Sequence, residues 1–78
     1  MDLYEKISRN PSNVTPKELI KLLESYGFEY KNTEGDHALY KKPGYRRFPI
    51  PISKNPLAIR IVKEALRLIR EIRDLKRD

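Results

Sequence analysis

Five residues, Phe48-Pro49-Ile50-Pro51-Ile52, restrict the fold of this chain more than any other stretch. The apolar side chains at 48, 50 and 52 alternate as one face of a strand does. Proline has no N–H, so Pro49 and Pro51, two apart, leave the same lateral side of that strand without donors. No neighbouring strand can build a regular ladder there. The segment Arg46 to Ile52 is therefore predicted to be an edge strand, and any sheet it joins must extend from its other side.

The preceding residues supply that sheet. Phe28-Glu29-Tyr30-Lys31 alternates as a half-buried strand, Asn32-Thr33-Glu34-Gly35 has turn chemistry, and Asp36 to Lys41 can return as a second strand. Lys42-Pro43-Gly44-Tyr45 then turns the chain into the proline-guarded edge. A helix is expected from Thr15 to about Tyr26. Thr15 and Glu18 make a capping box, Pro16 suits the first turn, Leu19, Ile20, Leu22, Leu23 and Tyr26 form an apolar stripe, and Gly27 is a left-handed stop. Asn55-Pro56 reads as the start of a long last helix reaching Leu75, apolar over a broad arc from Leu57 to Ile72. Leu3, Tyr4 and Ile7 mark a short N-terminal helix that Asn10-Pro11-Ser12-Asn13 ends. The expected architecture is α+β: an α-β-β-β-α domain over residues 15–73, with two helices on one face of a three-stranded antiparallel sheet. An N-terminal arm (1–14) precedes it, and a frayed charged tail (74–78) follows.

Seventy-eight residues fit one domain, and a chain this short hides only about 60% of the surface its unfolded form exposes. It has no cysteine, which excludes disulfides and thiolate metal sites and points to a reducing, cytoplasmic setting. No apolar run approaches the roughly 20 residues that span a bilayer, and the N-terminus lacks the basic start and apolar stretch of a signal peptide, so no membrane association is expected. Seventeen Lys and Arg against 11 Asp and Glu give a net charge of +6. That excess calls for a polyanionic partner, nucleic acid first and an acidic protein second.

The only histidine, His37, lies at the turn-to-strand junction Glu34-Gly35-Asp36-His37. With one histidine, no cysteine and carboxylates scattered instead of spaced as an ion-binding loop, a metal site is hard to build. Gly27, Gly35 and Gly44 are isolated and form no phosphate-cradling loop, and no serine has a nucleophile-elbow context. Neither a metal nor a cofactor is expected. Proton transfer beside cations remains. RNA carries its own nucleophile, the 2′-hydroxyl, so its cleavage needs a base, an acid and positive charge near the phosphate. His37 is the candidate catalytic residue, and no second proton-transfer group is obvious. Lys41, Lys42, Arg46 and Arg47, with Tyr40 among them, are candidate RNA-binding residues, since phosphate contacts and stacking supply sequence-tolerant affinity. Lys54, Arg60 and Lys63 are further candidates. Arg60 and Lys63 begin a basic stripe on the last helix that continues through Arg67 and Arg70, with Glu64 and Glu71 placed to pair along the helix. Two competing readings are a non-catalytic RNA-binding module and a protein-interaction domain whose long last helix holds a second copy of the chain. Strand geometry separates two cases for His37. If Ala38 and Tyr40 face the core, His37 and Leu39 point outward together; if Leu39 is core, His37 is buried with it.

The order Glu18-Leu19-Ile20-Lys21-Leu22-Leu23, Gly27-Phe28, Gly35-Asp36-His37 with Tyr40 three residues on, and Arg46-Arg47-Phe48-Pro49-Ile50-Pro51-Ile52 resembles the HicA toxin family over roughly Tyr4 to Leu68. That resemblance implies a double-stranded-RNA-binding-domain-like fold and a metal-independent ribonuclease that cuts messenger RNA. It also implies a HicB-type antitoxin partner and a catalytic histidine at His37. Three positions depart from the family pattern: Asp36 where Ser is usual, Ser53 where a second His is common, and Asn55-Pro56 where Gly-Thr opens the last helix. The first sets a negative charge beside the expected phosphate site.

Overall fold

The computed structural model describes residues 2–75. Its elements follow the order α1 (Leu3–Arg9), α2 (Pro16–Ser25), β1 (Glu29–Glu34), β2 (His37–Lys41), β3 (Phe48–Pro51) and α3 (Ile59–Leu75). The caps read from the sequence set the bounds of α2. The Glu18 amide donates to Thr15 Oγ1 at 3.1 Å, and the Thr15 amide donates to Glu18 Oε1 at 3.0 Å. At the other end Gly27 takes a φ of +96°, its amide donates to the Glu24 carbonyl, and the Phe28 amide reaches back to the Leu23 carbonyl. This is a Schellman ending, with Phe28 and Leu23 both buried in the core.

The sheet is antiparallel in the order β1-β2-β3, so β3 is an edge strand. Its pairing side is fixed by Ile52, whose amide donates to the Asp36 carbonyl at 2.9 Å. Residues two apart share a lateral side, so Ile50 also faces β2 while the nitrogens of Pro49 and Pro51 face the unpaired side. The expected hairpin turn is shorter than its composition suggested. Asn32, Thr33 and Glu34 belong to β1, and only Gly35 and Asp36 form the turn, with Gly35 at a φ of +59°. A bulge at Lys31 makes the extension compatible with pairing: Tyr30 opposes Tyr40, but Asn32 opposes Leu39.

Two other boundaries shift. Ile52 does not share the buried face of Phe48 and Ile50; it lies beyond the strand and is 45% exposed. The last helix starts at Ile59 instead of Asn55-Pro56, because Leu57 is drawn into the core, its amide bonded to the Val14 carbonyl at 2.8 Å. Asp74 and Leu75, assigned to the frayed tail, are helical; the rest of that tail lies outside the described residues.

Ala38, Tyr40, Phe48 and Ile50 from the sheet meet Leu19, Leu22 and Leu23 of α2 and Val62, Ala65, Ile69 and Ile72 of α3 in one core, with Ile7 of α1 included. Lys6–Glu18, at 3.3 Å, links α1 to α2, and the Arg73 guanidinium sits 4.3 Å over the Tyr4 ring. Most of the apolar arc of α3 is consumed by its own core, leaving Ile59 and Leu75 exposed at its two ends. No helix among the described residues is long and apolar enough to cross a membrane. The whole is the α-β-β-β-α arrangement of the double-stranded-RNA-binding-domain-like fold, preceded by one short helix.

Candidate active site

The direction of β2 decides what the sheet shows to solvent. Ala38 and Tyr40 belong to the core under the helices, so His37 and Leu39 project from the opposite face. His37 is exposed. Leu39 is not: it is 6% exposed yet lies outside the main core, as the floor of a shallow depression that Glu34, His37, Arg47 and Pro49 also line. An apolar residue on the outer face is thus covered by its own neighbours, and His37 stands clear beside it. Register explains the company. His37 lies between Glu34 on β1 and Pro51 on β3, and Leu39 lies between Asn32 and Pro49.

Asp36 precedes His37, and its carboxylate is engaged. Oδ1 accepts from the Ser53 amide at 3.1 Å and Oδ2 accepts from the Ser53 hydroxyl at 2.7 Å. Together with the Ile52 amide on the Asp36 carbonyl, these bonds tie the β1–β2 turn to the exit of β3. Asp36 and Ser53, two of the positions that depart from the HicA pattern, are therefore partners of each other. The carboxylate next to His37 is turned toward an N–H and an O–H, which donate to it.

The basic cluster does not stay together. Arg47 faces the depression with His37. Arg46, one residue earlier, faces the helices and pairs with Glu64 of α3 at 3.2 Å, in a cleft that includes Tyr45, Phe48 and Arg67. Glu64 thus takes a partner from the segment before β3, where Arg46 and Arg47 lie outside the strand expected to begin at Arg46, in place of one along its own helix. The Lys41 ammonium is held by the carbonyls of Lys42 and Tyr45, and that of Lys42 lies against Gly27. Tyr40, expected among the RNA contacts, is 6% exposed on the core face, edge-on to Tyr30 at 5.7 Å, and burial pushes its phenol above the usual value. No base can stack on it there. Lys54 is exposed beyond β3, and Arg60 is exposed in the first turn of α3. Lys63 joins Tyr4, Ser8, Leu66, Arg67 and Arg70 in a groove between α1 and α3. The structure therefore unites His37 with Arg47 and separates both from the other predicted cations.

Glu34, expected in the turn from the composition around it, is the last residue of β1 and lines the depression. The signal was present: with Gly35 and Asp36 as a two-residue turn, positions 34 and 37 must face each other across the hairpin. Among the described residues, no three His, Asp or Glu side chains gather into a group that could hold a metal ion.

A family model described as the HicA toxin of bacterial toxin-antitoxin matches residues 16–70. Neither the curated proteins nor the solved structures gave a match.

Proposed function

Because this chain belongs to the HicA toxin family of bacterial toxin–antitoxin systems, we propose that it is an endoribonuclease that cuts messenger RNA, with His37 transferring a proton and Arg47 holding the phosphate. The observation that carries the reading is the pairing of an exposed imidazole with a guanidinium around one depression, on the sheet face opposite the one that packs against the described helices. An extended RNA strand can lie across that face. Cleavage by the 2′-hydroxyl needs proton transfer and stabilisation of the charge on the phosphorane, both within the capacity of such side chains without a metal ion. The net charge of +6 favours the approach of the polyanion. A HicB-type antitoxin would silence the toxin by covering His37 and Arg47.

The test is cleavage of RNA by the purified protein in excess chelator. Wild type cuts and His37→Ala does not. Full activity in His37→Ala refutes the assignment, and salt-sensitive RNA binding without cleavage, unchanged by that substitution, identifies a non-catalytic RNA-binding module instead.

A further inference from the structure

The geometry points to Glu34 as the second proton-transfer residue of the site, acting as general base on the 2′-hydroxyl while His37 acts as general acid on the leaving oxygen; this inference rests on the ribonuclease reading above. A strand-cleavage reaction has two proton transfers, on opposite sides of the phosphorus, so one histidine leaves one transfer unassigned. Glu34 and His37 are directly opposite each other across the β1–β2 hairpin, the last pair before the turn. Residues so paired point to the same face, with Cβ atoms about 4.5–5.5 Å apart. Both line the depression whose floor is Leu39 and whose other wall carries Arg47. A carboxylate, an imidazole and a guanidinium therefore line one open depression.

The other charged groups near His37 do not compete for the role. Asp36 is adjacent in the chain, but both of its oxygens accept from Ser53. From β3 the facing residue is Pro51, which cannot titrate, and from the segment before β3 it is Arg47, which stays cationic. Glu29 and Lys41 oppose each other at the far end of the hairpin. Glu34 is the one carboxylate that both faces the site and holds no ion-pair or hydrogen-bond partner among those the described residues show.

The division of roles follows from the functional groups. A carboxylate serves as a proton acceptor, and an imidazolium serves as a donor to a leaving oxygen. Glu34 takes the 2′-hydroxyl proton as the 2′-oxygen bonds to phosphorus. Arg47 balances the charge that accumulates on the non-bridging oxygens. The bond from phosphorus to the 5′-oxygen breaks, and that oxygen takes the proton from His37. The products are a 2′,3′-cyclic phosphate and a 5′-hydroxyl, with the enzyme's net proton count unchanged.

The experiment compares Glu34→Gln and His37→Ala on ordinary RNA and on an RNA whose scissile 5′-oxygen is replaced by sulfur, a leaving group that needs no acid. On ordinary RNA, Glu34→Gln is expected to lower kcat about 10²–10⁴-fold with KM unchanged or lower. On the sulfur substrate His37→Ala recovers most of its lost rate and Glu34→Gln does not. If His37→Ala is inactive on ordinary RNA while Glu34→Gln retains wild-type kcat, the role of Glu34 is overturned and the ribonuclease reading survives. Rescue of Glu34→Gln instead of His37→Ala overturns the assignment of base and acid. Full activity of His37→Ala on ordinary RNA removes the reading on which both rest. Circular dichroism of Glu34→Gln, an exposed strand-end position, establishes that any loss is chemical.

Discussion

Asp36→Ala separates the structural from the electrostatic role of the residue next to His37. The substitution removes two hydrogen bonds, to the Ser53 amide and hydroxyl, and leaves the main-chain bond from Ile52 in place. Both bonds lie at the surface, where water re-solvates the freed groups, so each is counted at the low end of the usual net range, about 0.5–1 kcal/mol. The sum is about 1–2 kcal/mol, which for a domain this small lowers Tm by about 4–16 °C. Asp36→Asn keeps the shape. Its amide oxygen still accepts from the Ser53 N–H and its amide nitrogen can donate to the Ser53 hydroxyl, so its stability should stay within about 0.5 kcal/mol of wild type. It also deletes one negative charge beside the phosphate site, and RNA should bind more tightly at low salt, with the gain fading as salt is added. Thermal melts of Asp36→Ala, Ser53→Ala and the double variant give the coupling, expected at about 0.5–1 kcal/mol. If Asp36→Ala melts with wild type, or the two single effects simply add, the clamp contributes nothing and the reasoning fails.

Two further outcomes are expected. Arg47→Ala should weaken RNA binding about three- to tenfold, equivalent to roughly 0.7–1.4 kcal/mol, and reduce the salt slope by about 0.7, since one phosphate is no longer neutralised. Arg46→Ala, which breaks the exposed pair with Glu64 on the helix side, should leave both nearly unchanged; a fluorescence titration showing the reverse order would place the RNA on the helix side of the sheet and refute the site. The second concerns acid. The bond from the Thr15 amide, aided by Lys6, holds the Glu18 carboxyl below its ordinary value despite the opposing effect of burial. A depressed folded-state value means that the unfolded chain binds the proton first as pH falls, so this stabilisation is complete above the ordinary carboxylate value of about 4.3 and is lost below it. The Tm difference between wild type and Glu18→Gln should accordingly shrink from pH 6 to pH 3. A constant difference across that range contradicts the linkage.

Local covalent facts were readable directly from the sequence. Pro49 and Pro51 lack N–H groups whatever surrounds them, and β3 is the edge they require. Thr15, Glu18 and Gly27 fixed both ends of α2 because caps and left-handed residues act within a few positions of themselves. The beginning of α3 was not readable. Asn55-Pro56 has the local chemistry of a helix start, but the helix waits until Ile59 because Leu57 gains more from the core and from the carbonyl of Val14, a residue far back in the chain. The site divides along the same line. That an imidazole can both give and take a proton is a property of the side chain, and the sequence alone supplied it. Which groups it shares a face with depended on a bulge at Lys31, a two-residue turn and strand parity, which brought Glu34 to it and sent Tyr40 to the other side, and on the path of the segment before β3, which carries Arg47 to the depression and Arg46 to Glu64. A strand alternates every residue, so a single step in register exchanges one face for the other. Residue identity determined the chemistry available to this chain, and only the tertiary pairing decided which of those residues can act together.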